Sequence, residues 1–341
     1  MVLNLLSRKK NRHTSATDSA PSVKPIIRKC PDYQPAAPVK LSDDSLLRCL
    51  QLGRWGFMIG HHQRWRQHPE AEKAYQAAGA AIDENYALVP EGFASLPMTV
   101  IDTPGAAEID FDTEPFLLGR CVVTNVQYQG FVDAGGYEDL DVWPQDIWPH
   151  LIDFTDLTGT PGPRFWRDGR HDRRLADHPV VGICFYEAVA YAAWAGFRLP
   201  TEAEWQMAAS WRIRSSAHVL RRYPWGDALD KDRCNIWASG IGHTEPVEAY
   251  PGGAAPNGIR QLIGNVWEWT DSDYEVTDSE GRPVVGVMQM KSIRGGAFDT
   301  YFASQATSCF RTGLVSLSRT NNVGFRCALD LPSLSNGESG S

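Results

Sequence analysis

From Tyr223 to Leu329 the chain meets a Gly or Pro every few residues and sustains neither a helical nor a strand period for long. Such a segment holds one shape only if aromatic packing, backbone hydrogen bonds or metals fix its loops. The chain is rich in the parts this needs: 12 Trp, 30 Gly and 22 Pro among 341 residues. They predict a loop-rich fold with large aromatics as anchors.

The upstream sequence is more regular. "DDSLLRCLQL" and "AEKAYQAAGAAIDENYAL" place apolar residues at helical spacing, so residues 41–95 read as a helical segment the size of a hairpin. "TNVQYQGFVDAGG" sets Thr124 three residues before Gln127, and "PTEAEWQMAAS" sets Thr201 three before Glu204. Both are capping-box spacings that start helices. "VVGICFYEAVAYAAWAGF" (Val180 to Phe197) could pass for a membrane span. Glu187 at its middle and a Gly near each end make it a short buried strand followed by a buried helix. Residues 1–40 and 331–341 read as disordered tails.

A formal net charge of −8 argues against nucleic acid, which needs a basic footprint. Seven cysteines without a C-x-x-C pair suggest reduced thiols and a cytoplasmic location. The N-terminus puts its apolar residues before its basic ones, the reverse of a signal peptide.

Six blocks stand in one order: "PVVGICFYEAVAYAAWAGFRLPTEAEWQMAA", "YPWGD", "CNIWASGIGHTEPV", "NGIRQLIGNVWEWTDSDY", "SIRGGAF" and "NNVGFRCA". Together they resemble the formylglycine-generating enzyme (sulfatase-modifying factor) family from about Leu96 to Leu329. The resemblance implies an α+β, C-type-lectin-like domain over residues 96–330 with little regular secondary structure, preceded by the short helical segment. It leaves function open, because the family includes copper-dependent formylglycine generators, nonheme-iron sulfoxide synthases of ergothioneine biosynthesis and noncatalytic ligand-binding domains.

The copper-dependent members hold their metal with two cysteines, and the matching positions here are Thr300 and Gln305. Neither replaces a soft thiolate. Cys309 stands alone and is expected to be a partly buried structural thiol. The iron-dependent members take three histidines from an added helical bundle. His61, His62 and His68 are available, but adjacent His61 and His62 point apart on a helix, so an exposed polar segment is expected. His171 and His178 read as loop histidines. No redox metal is expected.

Structural calcium is the cofactor the resemblance does suggest. One site would take the carbonyls of Gly264 and Val266 with the side chains of Gln261 and Glu268. A second would take Asn235 and Ser239 with the carbonyls of Ile236 and Ile241. Neutral ligands make both weak, and hydrogen bonding of Glu268 and Asn235 to loop backbone is the alternative. Asp271, Asp273 and Asp278 read as solvated carboxylates. Trp225, Trp267 and Trp269 are expected in the core, and Arg294 and Arg326 on buried carboxylates or carbonyls.

In this family the stretch Asp299 to Thr312 lines the groove. Asp299, Tyr301, Phe302, Gln305, Ser308 and Arg311 mix aromatic anchors with hydrogen-bonding groups, the composition of a recognition surface. The expectation is a module that binds a peptide or protein ligand, with no membrane or nucleic-acid partner. A metal-dependent oxidoreductase, using nonheme iron or copper, is the alternative.

Overall fold

The computed structural model describes residues 33–97, 108–211, 221–275 and 288–331. All fall within the unit Tyr33–Ser341. Most of both expected tails, together with Asp278, lies outside the described residues.

The helical segment forms α1 (Ser45–Gln51), α2 (Trp55–Gly60) and α3 (Ala71–Asn85). Asp44 starts α1 by accepting the N–H groups of Leu46 and Leu47. Leu46, Met58, Trp65, Ala74 and Ala78 close a small core among the three helices. A glycine pair fixes this layer to the rest of the chain. A Cβ on Gly196 would stand 1.9 Å from Phe57 N, and one on Gly56 would stand 2.3 Å from Gly196 O. Only backbones without side chains can approach so closely. Beside the pair, Arg54 donates to Trp194 O and lies over the rings of Phe57 and Trp194.

The helical layer ends earlier than the sequence suggests. At Tyr86 the chain passes straight from α3 into β1 (Tyr86–Val89), and β2 (Gly92–Pro97) spans the expected boundary at residue 95. β1 pairs antiparallel with β4 (Phe116–Gly119), which pairs with the last strand, β9 (Ala328–Asp330). β2 forms a hairpin with β3 (Glu108–Thr113). The third sheet runs β7-β6-β5-β8, from β5 (Trp267–Asp273), β6 (Met290–Arg294), β7 (Arg311–Val315) and β8 (Val323–Phe325). Its β5–β8 pair is parallel and the others antiparallel.

Three further helices pack on the sheets: α4 (Asn125–Asp133), α5 (Phe185–Ala195) and α6 (Glu202–Ser210). The capping boxes expected at Thr124 and Thr201 both form. The strand expected at the start of the apolar run does not. Val180 N donates to Val123 O, but Gly182 then turns left-handed (φ 75°) and its N–H goes to Thr320 O, so no ladder develops. Glu187 explains why a carboxylate sits in that run. One oxygen accepts the Cys184 N–H at 2.8 Å and caps α5; the other accepts the hydroxyl of Tyr137 and a guanidinium N–H of Arg319. Among the described residues, no helix is long and apolar enough to cross a membrane.

Candidate functional site

The sheet β7-β6-β5-β8 and α6 meet over two buried carboxylates, each held by arginine. Glu268 on β5 takes a fork from Arg326, with Nε and Nη2 each 2.6 Å from a carboxylate oxygen. Trp205 Nε1 adds a third bond at 2.8 Å. The rest of the guanidinium donates to the carbonyls of Gly119 and Arg260. Glu202 on α6 takes two arginines, Arg294 of β6 at 2.8 Å and Arg311 of β7 at 2.9 Å. Burial pushes the Glu202 carboxyl up, but Arg294 and Arg311 outweigh it and hold the group below its ordinary 4.5. Glu187 is the opposite case: burial raises its carboxyl despite Arg319. Arg294 and Arg326 thus pair with buried carboxylates, as expected of the arginines in "RGG" and "GFR".

Above this floor the chain turns outward. Trp237, Tyr301 and Phe302 are 58%, 63% and 60% exposed, although each is a large ring. They pack edge to face on one another, Trp237 on Tyr301 at 4.8 Å and Tyr301 on Phe302 at 5.2 Å. The loops that carry them are tied by Trp237 N donating to Thr300 O. Asp299 is exposed beside them, and its carboxylate accepts from Asn322 Nδ2 at 3.0 and 3.2 Å.

Of the six expected groove residues, Asp299, Tyr301 and Phe302 reach this face, and Gln305 is half-buried. Ser308 and Arg311 do not reach it. Ser308 is buried, with its hydroxyl on Ala209 O and its carbonyl on Arg294. Arg311 turns inward to Glu202 and lies over the Tyr274 ring. Trp237 belongs to this face although it is not among the six. In "CNIWASG" it is followed by the small residues Ala238, Ser239 and Gly240, which cannot cover it.

The two copper-cysteine positions do not fit copper. Thr300 is buried with its hydroxyl accepting the Ala297 N–H, and Gln305 closes a 3-10 turn, Ala303–Gln305. The histidines do not converge either. His68 Nε2 donates to Asp44 while Nδ1 accepts the Glu70 N–H, His61 bonds Phe57 O, and His62 contacts Gln63. His171 is buried against Gln129, and burial lowers its pKa. His178 meets Thr244, and burial lowers its pKa too. Among the described residues, no three His, Cys, Asp or Glu gather as a metal site.

The two loops expected to hold calcium touch. Gly264 is left-handed (φ 82°), and a Cβ there would stand 2.5 Å from Asn235 O. Gln261 gives its oxygen to Asn265 Nδ2 and its amide to the carbonyls of Pro246 and Ala249. With Glu268 committed to Arg326 and Trp205, the first calcium set has both side chains engaged. In the second set Ser239 bonds Cys234 O and Ile236 N. Asn235 Nδ2 donates to His243 O and Asn265 Oδ1, which leaves Asn235 Oδ1 buried with no hydrogen-bond partner.

A profile of the sulfatase-modifying factor enzyme 1-like domain matches residues 72–331. The hercynine oxygenase of Mycobacterium tuberculosis is 41% identical over 169 residues, 47% of this chain and 38% of that protein. The chain therefore matches well under half the length of that oxygenase. The formylglycine-generating enzyme of Streptomyces coelicolor is 33% identical over 255 residues, 63% of this chain and 78% of the enzyme. The solved structure of PvdO from Pseudomonas aeruginosa superposes with a TM-score of 0.51 at 19% identity, covering 72% of this chain and 94% of that one. At that identity it supports the shared α+β fold alone.

Proposed function

The chain belongs to the sulfatase-modifying factor enzyme 1-like domain family, and from that premise we propose that it is the substrate-binding domain of an oxidoreductase. The open ring cluster of Trp237, Tyr301 and Phe302 beside Asp299 carries the reading. Large rings exposed together, next to a carboxylate and an amide, suit recognition rather than core packing. The similarity to a hercynine oxygenase and to a formylglycine-generating enzyme supports redox chemistry over binding alone. The copper positions and the histidines do not fit the family's metals. A redox metal would need ligands beyond the described residues.

A stand-alone peptide- or protein-binding module is the second reading, favoured by Thr300 and Gln305 at the two thiolate positions. Elemental analysis of the purified chain, with oxygen uptake measured in the presence of sulfur-containing amino acids, separates the two. Stoichiometric iron or copper with oxygen uptake supports the oxidoreductase. Metal-free protein that takes up no oxygen after loading with either ion overturns it in favour of the module.

We also propose that the loop around Asn235 holds a structural calcium ion. The unpartnered Asn235 Oδ1 is the hard oxygen such an ion would take.

A further inference from the structure

A cavity of about 400 Å³ shares no lining residue with the ring cluster of Trp237, Tyr301 and Phe302. Arg319 ties its walls together. The guanidinium donates to Thr155 O at 2.9 Å, to Gly162 O at 2.6 Å and to Glu187, and it lies over the Phe154 ring. Those bonds commit Arg319 to the scaffold. Asp153 and Arg164 stand across the stem of a loop: Thr155 bridges Pro161, and Gly162 N donates to Phe154 O at 3.2 Å. Both side chains are exposed and line the cavity, yet they do not pair with each other. Among the described residues, the one side-chain hydrogen bond of Arg164 runs from Nη1 to Arg319 O at 3.4 Å, and the Asp153 carboxylate accepts none. Phe154, buried, and Leu317, half-buried, supply apolar lining. Thr320 lines the same cavity, and its buried hydroxyl has no hydrogen-bond partner.

We propose that this cavity is a second binding site, for a free α-amino acid with an apolar side chain. The ligand carboxylate lies on Arg164, whose planar fork matches it, and the ligand ammonium lies on Asp153. A simple anion or a simple cation would satisfy one of these groups and leave the other as it is. Opposite charges on neighbouring arms of a loop stem suit a molecule whose own two charges are one carbon apart. The ligand side chain packs on Phe154 and Leu317 and removes their apolar surface from water. The Thr320 hydroxyl gains an acceptor in the carboxylate, which relieves a buried donor that has none. A pocket with apolar lining and a few converging polar groups is the usual form of a small-molecule site. The site is independent of the oxidoreductase reading, since neither the rings nor any metal takes part in it.

Ligand-observed NMR titration of the full chain tests this with three probes: L-leucine, isoamylamine, which lacks the carboxylate, and isocaproate, which lacks the ammonium. Leucine is expected to bind about tenfold more tightly than either, the scale of a hydrogen bond to a charged group. Arg164→Gln should reduce leucine to the affinity of isoamylamine and leave isoamylamine unchanged. Asp153→Asn should reduce leucine to the affinity of isocaproate and leave isocaproate unchanged. Both substituted side chains are exposed, so melting should stay as in the unsubstituted chain. Tyr301→Ala should leave leucine binding intact, which separates this site from the ring cluster. The proposal is overturned if the unsubstituted chain binds no leucine, if isocaproate or isoamylamine binds as tightly as leucine, or if Tyr301→Ala removes leucine binding while Arg164→Gln and Asp153→Asn do not.

Discussion

Glu268 and Asp299 are carboxylates of one domain with opposite fates. Glu268 is fully buried, and its two oxygens receive three bonds from Arg326 and Trp205. Asp299 is exposed and held by one amide, that of Asn322. Glu268 lies in "GNVWEW", the letters that most resemble a family, and its work is to join β5 to the chain around β8. Asp299 lies in a stretch with little motif and stands beside the exposed rings. Recognisable motifs supply the buried scaffold here, whereas the exposed ring face draws on both kinds of sequence: Trp237 lies in the block "CNIWASGIGHTEPV", and Tyr301 and Phe302 lie between blocks.

The largest effect should come from the buried side. Arg326→Met leaves Glu268 charged, buried and facing only Trp205. The expected loss is about 3–5 kcal/mol, the usual cost of breaking one partner of a buried pair. Denaturant unfolding measures it, and Glu268→Gln in the same chain should return part of the loss. A single-variant loss below about 1 kcal/mol would make the Arg326–Glu268 fork no more than a surface pair in effect.

The two remaining buried glutamates sharpen the contrast through pH. Glu202 has its folded pKa held below 4.5, so its contribution is present above that pH and is lost as pH falls below it. Glu187 has its folded pKa raised, so its contribution falls as pH climbs above 4.5 through the folded value. Glu202→Gln should flatten the stability curve on the acid side and Glu187→Gln on the other. Unfolding curves taken on either side of 4.5 check both. Identical slopes in both variants would mean that one arginine and two arginines balance burial equally.

Calcium should come next. It binds folded loops and not the unfolded chain, so at ten times its dissociation constant it adds about 1.4 kcal/mol. Melting in calcium and in chelator measures this, and Asn235→Ala should remove the difference. Glu268→Gln should lower stability in both conditions alike, because Arg326 already occupies that carboxylate.

Much of the scaffold was legible because local chemistry fixes it. Thr124 and Thr201 reach their own third residues, and "RGG" and "GFR" offer guanidiniums with nowhere to go but inward. The strand expected from Val180 failed because the partner of Gly182 is Thr320, far along the chain. The placement of Ser308, Arg311 and Trp237 escapes the sequence for the same kind of reason. Whether each points in or out depends on Ala209, Glu202 and Tyr301, none of them close in sequence.

The smallest effect on stability should accompany the largest effect on recognition. Trp237, Tyr301 and Phe302 contact mainly one another and solvent, so replacing any one with Ala removes little buried area. Each change should alter stability by about 0.5 kcal/mol or less, the usual range for exposed positions. A recognition face behaves differently toward a ligand, where a truncated aromatic anchor costs about 2 kcal/mol or more of binding. Tyr301 stands between the other two rings, so Tyr301→Ala should cost the most affinity and Asp299→Asn an amount set by the charge of the ligand. Titration calorimetry with any sulfur-containing amino acid or peptide that the unsubstituted chain binds measures the loss, and thermal melting of the same samples measures stability. If Tyr301→Ala unfolds the chain as severely as Arg326→Met, the rings belong to the scaffold. If it leaves both melting and affinity unchanged, the face is not where the ligand sits, and the contrast between Glu268 and Asp299 marks only depth of burial.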